Sequence, residues 1–235
     1  MMTFPVGMIA FISILVFSMR GIGLSIFMNT HAIVLVVFGT LAILALCTPW
    51  SNIKLLGEAL RGLFRRELNV QQVRQDLFAL SRNKNAKVSS PSPLIVYAQD
   101  LWQKGVDHDV FVRLINNFMN EIHSTSDTPA VVLRNAAKYP PSLGMLGTVI
   151  GMISLFSGLG SENRNSIGPL LALAMTATFY GLIVSNAMIM PLADRLQLRG
   201  SSFAQNHTKI LKIILLIHQG EAQKIIEDEL NGVRF

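Results

Sequence analysis

Cysteine and charged residues are scarce in this sequence: its 235 residues include one cysteine, Cys47, and only 14% of them are charged. A single cysteine excludes an intramolecular disulfide, and we expect a buried, inert thiol. The shortage of charge, together with 51% hydrophobic residues and a mean hydropathy of +0.45, argues against an ordinary soluble domain. The composition predicts an integral membrane protein.

Motifs for enzymatic chemistry are also missing. The sequence has no GxGxxG or GxxxxGK[ST] phosphate loop, no GxSxG nucleophile elbow and no HExxH or CxxC metal motif. His108 lies between Asp107 and Asp109, where a metal site or general base is one interpretation and a solvated helix start is the favoured one. Despite the net charge of +6, the basic residues form no aromatic-interleaved patch, so we expect neither an enzyme nor a nucleic-acid partner.

Four apolar stretches predict an all-α polytopic membrane protein with four transmembrane helices and a cytoplasmic helical domain. The predicted helices cover residues 4–27, 31–50, 142–160 and 167–191. About 20 helical residues, at about 1.5 Å each, span the roughly 30 Å of a bilayer core. Trp50 is expected to anchor the end of the second helix at the interface. Arg20 either snorkels to an interface or faces inward toward a partner.

Basic residues set the predicted topology and domain bounds. The loop at 51–138 holds twelve Lys or Arg and the tail at 192–235 holds six, whereas the two short connections between helices hold almost none. The positive-inside rule then places the loop, the tail and both termini in the cytoplasm. Residues 1–50 and 139–191 form the predicted membrane part.

Helical periodicity returns within the cytoplasmic loop. It predicts two amphipathic helices over 53–81 with a break near Asn69, a flexible loop over 82–93, and helices over 94–104 and 109–123 with Asp107 or Asp109 as N-cap. The basic face is interpreted either as a contact to a rotor or other cargo, or as a surface for anionic lipid. The candidate contact residues are Arg61, Arg65, Arg66, Arg74, Arg82 and Lys84.

Small residues form one face on each helix of the hairpin at 139–191. Gly147, Thr148 and Gly151 lie on the first face, and Thr178 and Gly181 on the second. We expect these faces to need partners beyond one hairpin. Neither helix contains an ionisable residue, so an ion pathway here needs a charge from another chain. An ion pathway and a packing scaffold both remain open, and spacing alone favours the scaffold.

Sequence motifs in the hairpin carry a resemblance to a known family. They are GMLGTVIG, TATFYG and PLADRLQLR, and the tail sequence ILLIHQGEAQKIIEDEL extends the likeness. The chain resembles the MotA/TolQ/ExbB proton channel family, in particular the MotA/PomA flagellar stator A subunits.

The resemblance implies a channel-forming A subunit that couples proton or sodium flow to rotation and powers flagellar motility. It implies a homopentamer around a dimer of a MotB/PomB-like single-span subunit that carries the ion-binding Asp, in the bacterial inner membrane. It also implies contact with a flagellar rotor protein, and no cofactor besides the transported H⁺ or Na⁺. A TolQ/ExbB-like envelope motor and a scaffold without ion conduction remain alternatives.

The resemblance also implies residue roles. Thr178 matches the threonine that lies beside the partner's carboxylate, and Thr148 matches a second polar position. Ala177 replaces a threonine of some sodium-coupled relatives, which leaves the coupling ion open. Gly151 and Gly181 complete the predicted pathway.

Two further features bear on how such a machine would move and what it would drive. Pro141 and Pro191 match two functionally sensitive prolines of the family. A helix kink and a plain helix boundary are both open interpretations of these positions. The segment ALSRNKNAKVSSPSPLI departs from the family's rotor-binding helix, because Arg82, Lys84 and Lys87 lack an acidic partner there.

Overall fold

Helices make up all the regular structure in the described part of the computed structural model, which comprises residues 3–19, 27–63, 70–84, 86, 88, 92–158 and 167–232. The helices are α1 (Thr3–Ser18), α2 (Thr30–Ile33), α3 (Gly39–Cys47), α4 (Trp50–Gly62), α5 (Val70–Arg82), α6 (Pro93–Gln103), α7 (His108–Ala136), α8 (Tyr139–Gly158), α9 (Ile167–Ile183), α10 (Met190–Gln219) and α11 (Gln223–Gly232). Two π-helical segments, π1 (Val34–Phe38) and π2 (Val184–Ile189), join α2 to α3 and α9 to α10.

The chain divides into two units. The first unit comprises Met1–Gly57 and Pro129–Arg195, and the second comprises Glu58–Thr128 and Leu196–Phe235. Among the described residues, three helical stretches are long and apolar enough to cross a membrane: Thr30–Cys47 and stretches within His108–Ser157 and Ile167–Gln219. The apolar helix Val6–Ser18 is shorter. Arg20 lies outside the described residues, so a first helix over 4–27, and hence a count of four, stays a prediction.

The second predicted membrane helix ends earlier than expected. It stops at Cys47, and Thr48 is extended, with φ −122° and ψ 126°. A residue that precedes proline avoids the helical conformation because the Pro49 ring clashes with its backbone. Trp50 therefore begins α4 instead of ending the membrane helix. The expectation of a buried thiol was also wrong, because Cys47 is exposed at this helix end.

Glycines bring α8 and α9 into backbone contact. A Cβ built on Gly147 would lie 2.5 Å from the Cβ of Ala177, and one on Gly151 would lie 2.7 Å from the Cβ of Ala174. A Cβ on Gly144 would lie 2.9 Å from the Ala177 carbonyl oxygen. These distances are too short for any side chain larger than hydrogen. The small faces thus pack on each other within one hairpin, and the expectation that they need further partners was wrong for these positions.

The second unit has its own apolar core. Each of its helices after α4 contributes fully buried side chains, which include Leu77, Leu80, Leu94, Ile95, Phe111, Ile115, Ile210, Ile213, Ile214 and Leu230. Pro93 begins α6 at a position where its missing N–H costs nothing. Asp107 lies at the N-cap position of α7, since its carbonyl accepts from the Phe111 N–H at 2.8 Å.

The helix predicted over 109–123 was too short. In the structure α7 continues to Ala136 and passes through Pro129. The polar segment STSDT, at 124–128, keeps hydroxyls bonded to the helix itself: Ser126 donates to the Ile122 carbonyl at 2.7 Å and Thr128 to the Ser124 carbonyl at 2.7 Å. Such back-bonding lets serine and threonine lie within a helix.

Replacing Gly181 by alanine tests the close approach of the hairpin helices. The new Cβ would lie 2.5 Å from the Pro140 carbonyl oxygen, which is backbone and cannot rotate away. We expect Gly181→Ala to lower the free energy of unfolding by about 1–3 kcal/mol, visible as a lower midpoint of thermal unfolding in detergent.

The matched control is Gly168→Ala, on the same helix, where an added Cβ meets nothing within 4 Å. This variant should unfold at the wild-type temperature or slightly above it, because alanine favours a helix over glycine. Equal midpoints for the two variants would contradict the packing argument.

Candidate functional site

Two threonine hydroxyls meet in the centre of the hairpin. Thr148 lies on α8 and Thr178 on α9, and their Oγ1 atoms are 2.6 Å apart. Both side chains are half-buried. The glycine contacts on either side hold the two helices close enough for hydroxyls to touch directly. The structure therefore brings together the two residues that the sequence singled out as polar pathway positions.

Backbone carbonyls complete a cluster of four oxygens. Thr148 Oγ1 lies 3.1 Å from the Gly144 carbonyl and 3.3 Å from the Ala174 carbonyl. Thr178 Oγ1 lies 3.3 Å from the same Gly144 carbonyl. Each hydroxyl has one proton, so it donates to one of these acceptors at a time. The cluster is rich in acceptor oxygens, the ligand type that hard cations prefer.

No carboxylate or cationic side chain belongs to either helix, because α8 and α9 contain no Asp, Glu, His, Lys or Arg. Two neutral hydroxyls and two carbonyl dipoles cannot neutralise a cation at membrane depth, where an unpaired charge costs several kcal/mol. The cluster can complete the coordination of an ion or donate to a carboxylate, but it cannot hold an ion without an added charge.

The other three predicted pathway residues lie in the packing seam between α8 and α9. Ala177 is fully buried between Gly144 and Gly147, and Gly151 packs against Ala174. Gly181 lies against the backbone at Pro140. Their geometry accounts for the small size of each residue through packing, and an ion-pathway role for them stays a prediction.

The two prolines lie in different settings. Pro141 lies in the first turn of α8, where a helix tolerates proline. Pro191 is the second residue of α10, directly after π2, and the helix continues beyond it to Gln219. The plain helix-boundary interpretation is therefore wrong for Pro191. In π2 the Met190 N–H donates to the Ser185 carbonyl, five residues back, and such a shifted register marks a place where helices bend.

Sequence reasoning missed two polar contacts that anchor α9 and π2 within the first unit. Ser185 is buried and donates to the Ala137 carbonyl at 2.6 Å, just past the end of α7. The Tyr180 hydroxyl donates to the Phe27 carbonyl at 2.5 Å. Polar side chains inside an apolar helix were the available signal, because each of them needs a hydrogen-bond partner once it is buried.

An exposed ion pair also lies in the first unit. Arg134 Nη2 and Asp194 Oδ1 are 2.6 Å apart, with both side chains about half exposed to solvent. An exposed pair of this kind contributes little to stability, about 0–1 kcal/mol. It connects α7 to the start of α10.

The predicted basic contact residues lie on several elements of the second unit. Arg61 and Arg74 are exposed on α4 and α5. The Arg82 guanidinium lies 4.6 Å from the centre of the Phe78 ring, and Lys84 Nζ lies 5.9 Å from the centre of the Trp102 ring. Arg65, Arg66 and Lys87 lie outside the described residues. The rotor and lipid interpretations of this surface both stay open.

Two histidines of α10 have an environment that favours the neutral form. Burial lowers the pKa of His207 below its usual 6.5, although its hydrogen bond to the Phe203 carbonyl, at 2.9 Å, acts in the opposite direction. Burial also lowers the pKa of His218, with the Lys84 and His108 charges adding to the effect. His108, expected as a solvated helix start, stacks on His218 with ring centres 5.0 Å apart.

Known proteins resemble this chain in sequence and in fold. The MotA/TolQ/ExbB proton channel family matches residues 77–208. Chemotaxis protein PomA of Vibrio alginolyticus is 33% identical over 133 residues, 57% of this chain and 52% of PomA, so the matched part spans about half the length of that relative. Motility protein A of Bacillus subtilis (strain 168) is 23% identical over 231 residues, 90% of this chain and 82% of that protein.

A solved structure has the same fold over nearly the whole length. The structure described as C. jejuni MotAB gives a TM-score of 0.79 at 19% identity and covers 99% of this chain and 95% of that one. At this low identity the likeness shows the fold alone.

Replacing Ser185 by alanine tests the contact between π2 and the end of α7. The change leaves the buried Ala137 carbonyl without its hydroxyl donor, and an unsatisfied buried group costs about 1–3 kcal/mol. We expect a clear loss of thermal stability in detergent. Ser154→Ala is the matched control, because the Ser154 hydroxyl bonds only to the Ile150 carbonyl of its own helix at 2.9 Å. An equal and small effect of both changes would contradict a structural role for Ser185.

Proposed function

Because the chain belongs to the MotA/TolQ/ExbB proton channel family, whose match covers more than half of the sequence, we propose that it is the channel-forming A subunit of an ion-driven stator. The subunit couples proton or sodium flow to rotation and powers flagellar motility. The family is one of ion channels, so the proposal includes no enzymatic step and no cofactor. The transported H⁺ or Na⁺ is the only ligand.

The hydroxyl pair of Thr148 and Thr178 is the observation that carries this proposal. An ion pathway needs oxygen atoms at membrane depth, and here two hydroxyls lie 2.6 Å apart with two carbonyl oxygens beside them. A hydroxyl bond between two membrane helices also serves packing. The glycine seam alone fits a scaffold equally well, so the scaffold remains the alternative that the experiment must exclude.

The missing charge is assigned to a partner. We propose a MotB/PomB-like single-span subunit whose Asp lies beside Thr178 and takes up the ion. The hydroxyls then donate to the ionised carboxylate or coordinate the bound cation. The proposed assembly is a homopentamer around a partner dimer, and each ion that passes would move the ring by one step.

The proposed topology places four transmembrane helices in the bacterial inner membrane. Both termini, residues 51–138 and residues 192–235 are then cytoplasmic.

The second unit supplies the proposed surface for a flagellar rotor protein. The candidate contacts are Arg61, Arg65, Arg66, Arg74, Arg82 and Lys84. An envelope motor of the TolQ/ExbB type is the alternative cargo, since the segment 79–95 departs from the rotor-binding pattern.

Replacing Thr178 by valine tests the ion pathway. Valine keeps the shape and removes the hydroxyl, and a lost hydrogen bond to a charged group costs about 1.5–3 kcal/mol, which corresponds to a flux lowered by about tenfold or more. We expect proton or sodium flux through proteoliposomes that contain the chain and its partner to fall accordingly, with the complex still assembled.

Thr40→Val is the matched control for this measurement. Thr40 is also buried, but its hydroxyl bonds to the Val36 carbonyl of its own helical segment at 2.5 Å. Flux should stay near the wild-type level in this variant and should be absent when the chain is reconstituted without its partner. Ion flux through the chain alone would refute a partner-supplied charge, and unchanged flux in Thr178→Val would refute a role for this hydroxyl in the pathway. No ion flux through the wild-type chain with its partner would favour the scaffold.

Native mass spectrometry in gentle detergent tests the assembly. We expect a ring of five copies, alone or with the partner, which is the assembly that the resemblance to the MotA/PomA proteins implies. A stable monomer would contradict the proposed stator assembly.

A further inference from the structure

Four rings lie nearly parallel in the second unit, where three helices meet. His218 of α10 lies between His108 and Phe111 of α7, with ring centres 5.0 Å and 3.9 Å away and interplanar angles of 10° and 9°. Trp102 of α6 lies parallel to Phe111, with ring centres 5.8 Å apart. The Trp102 Nε1–H donates to His218 Nδ1 at 3.0 Å. This bond joins two helices that are 116 residues apart in sequence.

The hydrogen bond between Trp102 and His218 requires one protonation state. The indole nitrogen can only donate, so His218 Nδ1 must be an unprotonated acceptor and the ring proton must lie on Nε2. An imidazolium has protons on both nitrogens and offers no acceptor. Uptake of a proton by His218 therefore removes this bond completely, and it leaves two N–H groups facing each other.

The charged groups around this contact also oppose protonation. Lys84 Nζ lies 5.9 Å from the centre of the Trp102 ring, and His108 faces His218 from the other side. On α6, Asp100 is paired with Lys104 at 2.6 Å. Asp107 and Asp109 flank His108 on the exposed start of α7, and Glu221 follows α10. Of these groups, Lys84 and His108 lower the pKa of His218.

One contact acts the other way. A protonated His218 would gain a cation–π contact with Phe111, worth about 0.5–1 kcal/mol at a partly exposed site. Burial and the charges of Lys84 and His108 act against protonation and lower the pKa of His218 below 6.5. The loss of the Trp102 hydrogen bond acts in the same direction.

We propose that Trp102 and His218 form a pH-sensitive latch that holds α6 and α7 against α10 while His218 is neutral and opens when His218 binds a proton. A histidine that is less basic in the folded protein stabilises it above the unfolded pKa of about 6.5, and this stability is lost as the pH falls from 6.5 through the lower folded value. The latch is therefore closed near neutral pH and opens on acidification. This inference does not depend on which machine the chain drives.

The chain provides a reporter for the latch. It has two tryptophans, Trp50 and Trp102, so Trp50→Phe leaves Trp102 as the only indole in the full-length protein. Trp50 is 69% exposed at the start of α4, which makes this replacement mild. An imidazolium beside an indole quenches its fluorescence. We expect the emission of Trp102 to fall and shift to the red between about pH 7.5 and pH 5, with a midpoint below 6.5.

His218→Asn in the Trp50→Phe background is the decisive variant. The Asn amide oxygen can reach the place of Nδ1 and accept from Trp102, but it does not titrate. The transition should disappear, and the emission should stay at its neutral-pH value. His31→Asn, on the exposed start of α2 in the first unit, is the matched control and should leave the transition unchanged. His108→Asn should keep the transition and raise its midpoint, because one positive neighbour is removed.

Protonation of His207 should not change the emission of Trp102, because His207 lies eleven residues before His218 on α10, about 16 Å along the helix axis. If the His218→Asn variant fails to fold, amide hydrogen exchange on the Trp50→Phe protein decides the question. After correction for intrinsic rates, peptides from α6 and from residues 211–219 should lose protection at pH 5.5 relative to pH 7.5. A flat Trp102 signal, a transition that survives in His218→Asn, or equal protection at both pH values would overturn the proposal.

Discussion

The approach of two helix backbones is the constraint on which the rest of the first unit depends. Gly144, Gly147 and Gly151 present no Cβ to α9, and a Cβ at any of them would overlap atoms of Ala174 or Ala177. In a membrane, apolar side chains gain little by leaving lipid for protein, so close packing and polar contacts hold helices together. The glycines supply the packing, and the same proximity places the Thr148 hydroxyl within reach of Thr178.

The close approach of α8 and α9 determines which polar groups meet in the hairpin. Two hydroxyls and two carbonyl oxygens converge, but each hydroxyl is already within hydrogen-bond distance of its neighbours. The cluster is therefore ordered by its own hydrogen bonds, and these are electrostatically stronger in a medium of low dielectric constant than they would be in water. Neither α8 nor α9 carries a charged residue, so the cluster itself is electrically neutral.

Periodicity and composition predicted most of the helices and placed Thr148 and Thr178 on small faces, but they did not predict that the two hydroxyls contact each other. The errors lie where local chemistry overrides a pattern. The run of apolar residues continues to Trp50, but Pro49 forces Thr48 out of the helix. The segment after His123 is rich in turn-forming residues, yet their hydroxyls bond to the helix and α7 continues. Neither outcome is visible in hydrophobicity, because the first depends on the clash of the Pro49 ring with Thr48 and the second on hydrogen bonds from hydroxyls to the helix backbone.

Sequence predicts that a helix has a small face, but it does not show which helix packs against that face. The packing partner is a property of the tertiary structure. Glycine stripes on α8 and α9 would look the same whether each met a second chain or the other stripe. The structure assigns them to each other, and Ala177 shows the chemical consequence. Its Cβ already fills the space next to Gly147, and the side chain is fully buried. A threonine at 177 would add a methyl group and a hydroxyl to a seam whose opposing wall is glycine backbone. Such a side chain would push α8 and α9 apart at this point, and separation would also pull Thr148 away from Thr178. The tight seam and the contact between the two hydroxyls therefore depend on each other.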